Sequence, residues 1–424
     1  MSNVVPEGWT LGTIGDCVAK IGDGGTPATS NPEYYAGNIP WVVVNDIRRH
    51  IYRTQNTISD LGLNKSSAKL WDKESVIIST GATIGEVGIA KIPLATKQGI
   101  AGIQCNTMVI SDYLYYALVH KKPEILAMAQ GSTIKEVRTP ALVKLTQLYP
   151  PLPEQKKIAA ILSSVDDVIE KTRAQIDKLK DLKTGMMQEL LTRGIGPGGV
   201  PHTEFKDTPV GQVPVQWQIH SLGNVVDFKN GVNKDKDAFG HGVPIISYKN
   251  VYAGGGISDS DLNALVEMNE KELARFKVNY GDVFFTRTSE TPDEIGFTNV
   301  YLGERNDVVF NGFVIRGRPK YNLFHPRFLK YVFQSNAVRK QMMDNSKFTT
   351  RAGISGESLG RIEIAVPEIP EQRNIADALD SVELRIQAVS TKLDAYKSLK
   401  KALMQDLLTG KVRVNVDNKE PAAA

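Results

Sequence analysis

Short runs of arginine, lysine, asparagine, glutamine and threonine follow directly on apolar stretches in two parts of this chain. Asn45, Arg48, Arg49 and Arg53 come after Ile39-Pro40-Trp41-Val42-Val43-Val44, Thr80 and Thr83 after Ser75-Val76-Ile77-Ile78-Ser79, and Lys97 with Gln98 opens a third segment. Far along the chain the pattern returns. Lys249 and Asn250 follow Val243-Pro244-Ile245-Ile246, Arg287 and Thr288 follow Asp282-Val283-Phe284-Phe285-Thr286, Asn311 comes next, and Lys347 and Arg351 bound a further basic segment. Side chains of these types hydrogen-bond to the edges of nucleobases, and the basic ones neutralise phosphates. Taken singly, each reads as solvated surface. The loops are assigned as a set.

Other chemistries find less support. No Gly-x-x-x-x-Gly-Lys-Ser/Thr phosphate loop occurs, which argues against ATP-driven activity in this chain. His50, His120, His202, His220, His241 and His325 are scattered without the spacing of a metal site or a catalytic triad, so no catalytic residue and no metal are expected. Cys17 and Cys105 read as reduced thiols of a cytoplasmic protein. Met1-Ser2-Asn3-Val4-Val5-Pro6 lacks the pattern of a secretion signal, and no apolar run approaches the roughly 18 residues of a membrane span. The net charge is only +4, but between Phe313 and Arg351 nine basic residues stand against Asp344 alone, a stretch suited to face a polyanion.

The frame that must hold these loops comes from a repeat. Residues 153–192 return without a gap at 370–409. In the first copy Leu162, Val165, Ile169, Thr172, Ile176, Leu179, Lys183, Met186 and Leu190 advance by alternating steps of three and four. In the second, Leu379, Val382, Ile386, Val389, Leu393, Tyr396, Lys400, Leu403 and Leu407 do the same. That spacing lays one apolar seam along a long helix, which must be covered by another helix, and the other copy is the obvious partner. Lys183 and Lys400 fall in the seam. Their stems are expected to pack while their amines reach water, the alternative being a penalty on misregistered pairing.

Each helix follows about 150 residues of strand-like runs broken by Gly, Pro and Asn, with shorter helical patterns around Tyr113–Ala129 and Pro326–Met343. The fold class is therefore α+β, with two similar α+β globules in tandem, separated and joined by two long helices. Pro6-x-x-Trp9 with Pro214-x-x-Trp217, and Glu86-Val87-Gly88 with Glu294-Ile295-Gly296, link the globules. The boundaries expected are 1–150 for the first globule, 151–193 for the first helix, 194–212 for a linker, 213–366 for the second globule, 367–410 for the second helix and 411–424 for a flexible tail. A helix of about 39 residues is roughly 58 Å long, and about 19 extended residues reach roughly 63 Å. Parallel pairing would pull the linker nearly taut, so an antiparallel coiled coil with pseudo-two-fold symmetry is expected.

These residues bring a family into view. The Pro-Glu-Gln starts at Pro153-Glu154-Gln155 and Pro370-Glu371-Gln372, the ends at Met187–Thr192 and Met404–Thr409, the His202–Thr208 linker and Ile84-Gly85-Glu86-Val87-Gly88 together resemble the specificity subunit of type I restriction-modification enzymes, over nearly the whole chain. The resemblance implies a non-catalytic protein whose globules are target recognition domains, each reading one half of a bipartite, asymmetric sequence in double-stranded DNA. It implies that the helices set the half-site spacing and dock two methylation subunits, with two ATP-dependent restriction subunits as further partners. S-adenosylmethionine, ATP and Mg would then belong to those partners and none to this chain. Two other readings are a coiled-coil scaffold with two ligand-binding globules and a DNA adenine methyltransferase. Asn31-Pro32-Glu33-Tyr34 resembles the adenine-holding motif of amino-methyltransferases, but Glu33 replaces its second proline, and Gly22-Asp23-Gly24-Gly25 follows no clear strand; turn chemistry explains both.

Overall fold

The computed structural model describes residues 5–35, 37–131 and 135–416; the expected tail beyond residue 416 lies outside them. The chain divides into two compact units, one holding the residues up to Ala174 together with those from Thr391 on, the other Gln175–Ser390.

In the first unit the frame is built from β1 (Val18–Asp23), β2 (Ile39–Val42), β3 (Val76–Ser79), β4 (Val87–Ala90), β5 (Leu94–Thr96) and β6 (Ile100–Cys105). One sheet runs β1-β6-β3-β4 and ends on the short strand His50–Ile51; another sets β2 beside β5. β3 carries a continuous apolar run because both its faces are covered. Val76 and Ile78 join Trp9, Tyr113 and Leu114, and Ile77 turns the other way to Trp71, Leu94 and Ile100.

The second unit repeats this plan with β7 (Val226–Asn230), β8 (Phe239–Ile246), β9 (Val283–Thr286), β10 (Thr298–Val300), β11 (Val309–Phe310) and β12 (Val314–Pro319). Its sheet runs β7-β12-β9-β10, and β8 lies beside β11. In each unit the smaller sheet contains one parallel pair, Val42 opposite Thr96 on β2 and β5, Ile246 opposite Phe310 on β8 and β11.

The shorter helical patterns are each broken in two. The first gives α1 (Ser111–His120) and α2 (Lys122–Ala127), because Pro123 lacks the amide a continuing helix needs and fits the first turn of a new one. The long helices are α3 (Leu152–Leu190) and, after α4 (Pro326–Val332) and α5 (Asn336–Asp344), α6 (Ile369–Leu408). On α3, Leu162, Ile169 and Ile176 are buried and Val165, Leu179, Met186 and Leu190 half-buried. On α6, Leu379, Val382, Val389, Leu393 and Leu407 are buried and Ile386, Tyr396 and Leu403 half-buried. The first unit packs Ile158 and Leu162 near the start of α3 into one core with Met404 and Leu407 near the end of α6. In the second, Leu191 just beyond α3 shares a core with Ile375 and Leu379 near the start of α6. The helices therefore run antiparallel.

The seam lysines pack their stems and stay partly exposed, but their amines end on acids rather than in water alone. Lys400 Nζ lies 2.6 Å from Asp166 Oδ1 and 5.5 Å from the Tyr116 ring centroid, and Tyr116 Oη donates to Asp166 Oδ2 at 2.8 Å. In the second unit Lys183 Nζ donates to Glu383 Oε1 at 3.2 Å and sits 5.7 Å from the Tyr331 ring, whose hydroxyl donates to Glu383 Oε2 at 2.8 Å. Each lysine thus meets an acid of the opposite helix beneath a tyrosine of the globule. Burial, then the nearby carboxylates, pushes both tyrosine hydroxyls well above their ordinary range, so they remain donors.

Burial alone would raise Asp380 and Glu383. Hydrogen bonds from Lys330 and Tyr331 at Asp380, and the Lys183 charge with the Tyr331 hydroxyl at Glu383, outweigh it and hold both carboxyls below their ordinary range. A carboxyl depressed in the folded state contributes stability that is complete above the unfolded pKa, about 4, and is lost as pH falls through the folded value. Urea midpoints for the second unit are thus expected to drop on acidification below about pH 4. Asp380→Asn with Glu383→Gln should flatten that slope.

The repeated Pro-Glu-Gln starts have a mechanical role. Trp9 Nε1 donates to Glu154 Oε2 at 2.9 Å and Trp217 Nε1 to Glu371 Oε2 at 3.1 Å, tying the start of each globule to its helix. Gln155 accepts from Ile110 N and donates to the Met108 and Pro150 carbonyls; Gln372 repeats this with His325 N and the Leu323 and Pro367 carbonyls. The expected linker is not featureless. Phe205–Thr208 pairs with Gly211–Pro214, while Ile195 N donates to Glu371 Oε1 and His202 Nε2 lies against it, each at 2.9 Å. Of the expected flexible tail, Arg413 is held by the Glu154 carboxylate and donates to the Glu7 carbonyl at 2.7 Å.

Candidate nucleic-acid interface

Each unit gathers its candidate loops at one end of its strands through the same set of backbone bonds. In the first, Lys97 N donates to Val42 O at 3.0 Å, joining the ends of β5 and β2, and Thr80 N and Gly81 N donate to Gly99 O at 2.8 and 3.0 Å, joining the loop after β3. In the second, Asn311 N donates to Ile246 O at 3.0 Å and Arg287 N to Phe313 O at 3.2 Å. By these bonds and the strand registers Lys97 corresponds to Asn311, Thr80 to Arg287 and Gly99 to Phe313. The strand ends match while the side chains differ, which is what two readers of different sequences require.

A fourth segment joins each cluster. Val137 N donates to Thr80 O at 2.8 Å and Ile354 N to Arg287 O at 3.0 Å. In the second unit this segment is the hairpin of Lys347–Phe348 with Ala352–Gly353, carrying Lys347 and Arg351. Its counterpart around the Gln130–Glu136 bridge places exposed Lys135 and Arg138 beside the first cluster. Sequence reasoning missed these two. The available signal was that both segments follow the second of a pair of short helices.

Among the candidate base contacts, Asn45, Arg48, Arg53, Thr83, Lys97 and Gln98 are exposed in the first unit, and Lys249, Arg287, Thr288, Lys347 and Arg351 in the second. Arg48 and Arg53 flank the edge strand His50–Ile51. Lys97 Nζ stands 5.8 Å from the Trp41 ring, which holds it over the end of β2. Four others face inward or shape the loops. Arg49 donates to Asp167 on α3 at 3.3 Å and lies 5.8 Å from the Tyr116 ring, so it anchors the Asn45–Arg53 loop to the long helix. Thr80 is only 1% exposed. Asn250 Oδ1 accepts from Ser247 N at 2.9 Å and its Nδ2 donates to Asp261 O at 2.8 Å; Asn311 Oδ1 accepts from Phe313 N at 3.2 Å. Asn250 thus pins a turn as buried Asp46 does in the first unit, where it accepts from Val43 N at 3.0 Å and Gln55 N at 3.1 Å.

The basic stretch from Phe313 to Arg351 is not one face. Arg318 binds Asp282, Arg327 binds Asp377 and Asp380, Lys330 binds Asp380 and Glu383, and Arg316 is buried, donating to Lys277 O at 3.0 Å. Its acids come from elsewhere in the chain, which a local count cannot register. Lys340, Lys347 and Arg351 remain exposed.

The methyltransferase-like segments are turns. Asn31 Oδ1 accepts from Glu33 N at 3.2 Å and caps a single helical turn, Pro32–Tyr34. Gly24 and Gly25 do follow a strand, β1, but a Cβ on either would lie 2.3 Å from Thr96 O or 2.2 Å from Ala68 N. Those glycines serve close backbone packing.

Comparison with known proteins agrees with this architecture. A family model described as the type I restriction modification DNA specificity domain matches residues 6–181 and again 214–395. The MjaIX specificity subunit of Methanocaldococcus jannaschii is 24% identical over 425 residues, covering 97% of this chain and 95% of that protein. The MjaVIII specificity subunit of the same organism is 27% identical over 418 residues, covering 97% and 94%. The EcoKI specificity subunit of Escherichia coli is 22% identical over 390 residues, covering 89% and 82%. The fold is shared with the type I restriction-modification S subunit from M. genitalium, with a TM-score of 0.56 at 16% identity over 96% of this chain and 97% of that one. A chain from a study of assembly and conformational transition in the type I R-M system gives 0.59 at 17% identity, covering 96% and 100%. With both of its globules and much of both helices matched by that one model, this chain belongs to the family of type I restriction-modification DNA specificity subunits.

Proposed function

We propose that each globule reads one half of a bipartite, asymmetric DNA target, and that the chain directs methylation and restriction without catalysing either. The observation that carries this reading is the pair of loop clusters, hung on matching backbone bonds but lined by different side chains. Base contacts fall to the exposed set, with Arg48 and Arg287 positioned for guanine and the lysines for phosphate. Arg49, Thr80, Asn250 and Asn311 shape the loops. The antiparallel helices, in a pseudo-two-fold arrangement, set the gap between half-sites. The domain boundaries proposed are those read from the repeat.

S-adenosylmethionine, ATP and Mg act in partner subunits in this reading, and the complex works on DNA in the cytoplasm. Among the described residues no helix is long and apolar enough to cross a membrane. Two methylation subunits dock on the helices, joined by two restriction subunits. A stoichiometry of two methylation subunits is supported by Leu182 on α3 and Leu399 on α6. They hold the same position in the repeat and are 50% and 49% exposed, so one partner surface fits both. Leu182→Asp or Leu399→Asp alone is expected to leave one methylation subunit bound in native mass spectrometry, and the double variant none. Full occupancy in the double variant would remove these leucines from the interface.

Membership of the family favours DNA recognition over a general scaffold or a methyltransferase. As a test, the complex of this chain with its methylation subunit is incubated with a random duplex library and the retained DNA is sequenced. A motif of two unlike halves with a fixed gap is expected. A single contiguous motif, or no enrichment, would contradict the reading.

A further inference from the structure

The second unit has a recess of about 430 Å³ inside its loop cluster, lined by Tyr248, Tyr252, Thr288, Glu290, Phe313 and Arg351 among others. Tyr248 and Tyr252 stack with centroids 5.8 Å apart, and Tyr252 packs on Phe297 at 5.2 Å. Phe313 is 66% exposed at the edge of this recess, which leaves its ring free to pack on a base or a thymine methyl. The recess has no equivalent built from the same side chains in the first unit, where the positions of Arg287 and Phe313 are Thr80, which is buried, and Gly99.

Two carboxylates border it, and they differ. Glu294 accepts from Tyr252 Oη at 2.9 Å and fixes that ring. Glu290 faces outward, its side chain 85% exposed, with Arg351 at 3.9 Å. Thr288 lines the same recess, and Arg287 and Lys347 belong to the same loop cluster, all three expected to meet DNA. An acid there repels phosphate, and Arg351 offsets only part of that repulsion. The placement is favourable when the carboxylate accepts a hydrogen bond from a base amine, and in the major groove the partner of Glu is cytosine N4.

We propose that this recess reads a cytosine in the half-site of the second unit, with Glu290 accepting from the N4 amine, Arg351 orienting the carboxylate and Phe313 packing on the adjoining base. The inference rests on the DNA-reading function proposed above and adds the base class and the residue that selects it. Because both Glu290 and Phe313 are exposed, substitutions there leave the core intact.

The test maps N6-methyladenine in a methylation-free host expressing the full chain with its methylation subunit, comparing wild type with Glu290→Ala, Glu290→Gln, Phe313→Ala and Arg287→Ala. Glu290→Ala should lower discrimination for cytosine at one position of one half-site by about tenfold. Glu290→Gln should admit adenine at that position, since Gln pairs with adenine N6 and N7. Phe313→Ala should disturb the same half-site, and the other half should remain unchanged. Glu290 maps identical to wild type, with Arg287→Ala still relaxing that half-site, would overturn the recess proposal while leaving DNA reading intact. No split motif even with the wild-type chain would overturn the underlying function, and this inference with it.

Discussion

In the Arg287→Ala variant, discrimination at one position of a single half-site is expected to fall by about 1–3 kcal/mol, with the other half unaffected. The backbone of Arg287 is fixed on both sides, its N–H donating to Phe313 O at 3.2 Å and its carbonyl accepting from Ile354 N at 3.0 Å. Among the described residues the guanidinium makes only a 3.5 Å contact, with Gly312 O, and Arg287 is exposed, so truncation removes a reader and leaves the loop in place. Arg48→Ala should do the same for the other half-site. Lys97→Ala instead removes a phosphate partner, weakening all sequences alike and reducing the salt dependence of binding by about one ion. Competition binding over single-base variants of the target separates the cases. Uniform loss in the Arg287 variant would reassign it to phosphate.

Lys400→Met is expected to destabilise the first unit by about 3 kcal/mol, at the low end for breaking a buried ion pair because the lysine side chain stays one-fifth exposed. The substitution leaves Asp166, 12% exposed at its side chain, with the Tyr116 hydroxyl but without its cation. Adding Asp166→Leu should recover most of the loss, since an apolar pair of similar volume often replaces a buried salt bridge without penalty. Urea unfolding of the single and double variants provides the measurement. Equal losses in both would mean that the lysine stem, not the charge pair, carries the contribution.

The two long helices were legible because a seam in steps of three and four leaves few alternatives, and all the apolar seam positions named from it are buried or half-buried. The loops after β2, β3 and β5, and after β8, β9 and β11, were legible because an apolar run followed by polar and turn-forming residues marks a strand end. The ion pairs across the helices were not. A seam lysine resembles a flaw until its acid is located, and Asp166 and Glu383 each lie one residue past a seam valine on the opposite helix, where they look like solvated surface. The basic stretch misled for the same reason, since Asp282 and Asp380 reach it from distant positions. Side-chain burial divided the candidate contacts: Asn45 and Asp46 are adjacent polar residues of similar size, yet only Asn45 is exposed.

The central claim is that this chain decides where its complex acts on DNA. It is tested most directly by mapping N6-methyladenine across the genome of a methylation-free host that expresses the methylation subunit with this chain or without it. A split motif of two unlike halves, present only with this chain, is the predicted result. Methylation that does not depend on the chain, or none at all despite a stable complex, would contradict the account.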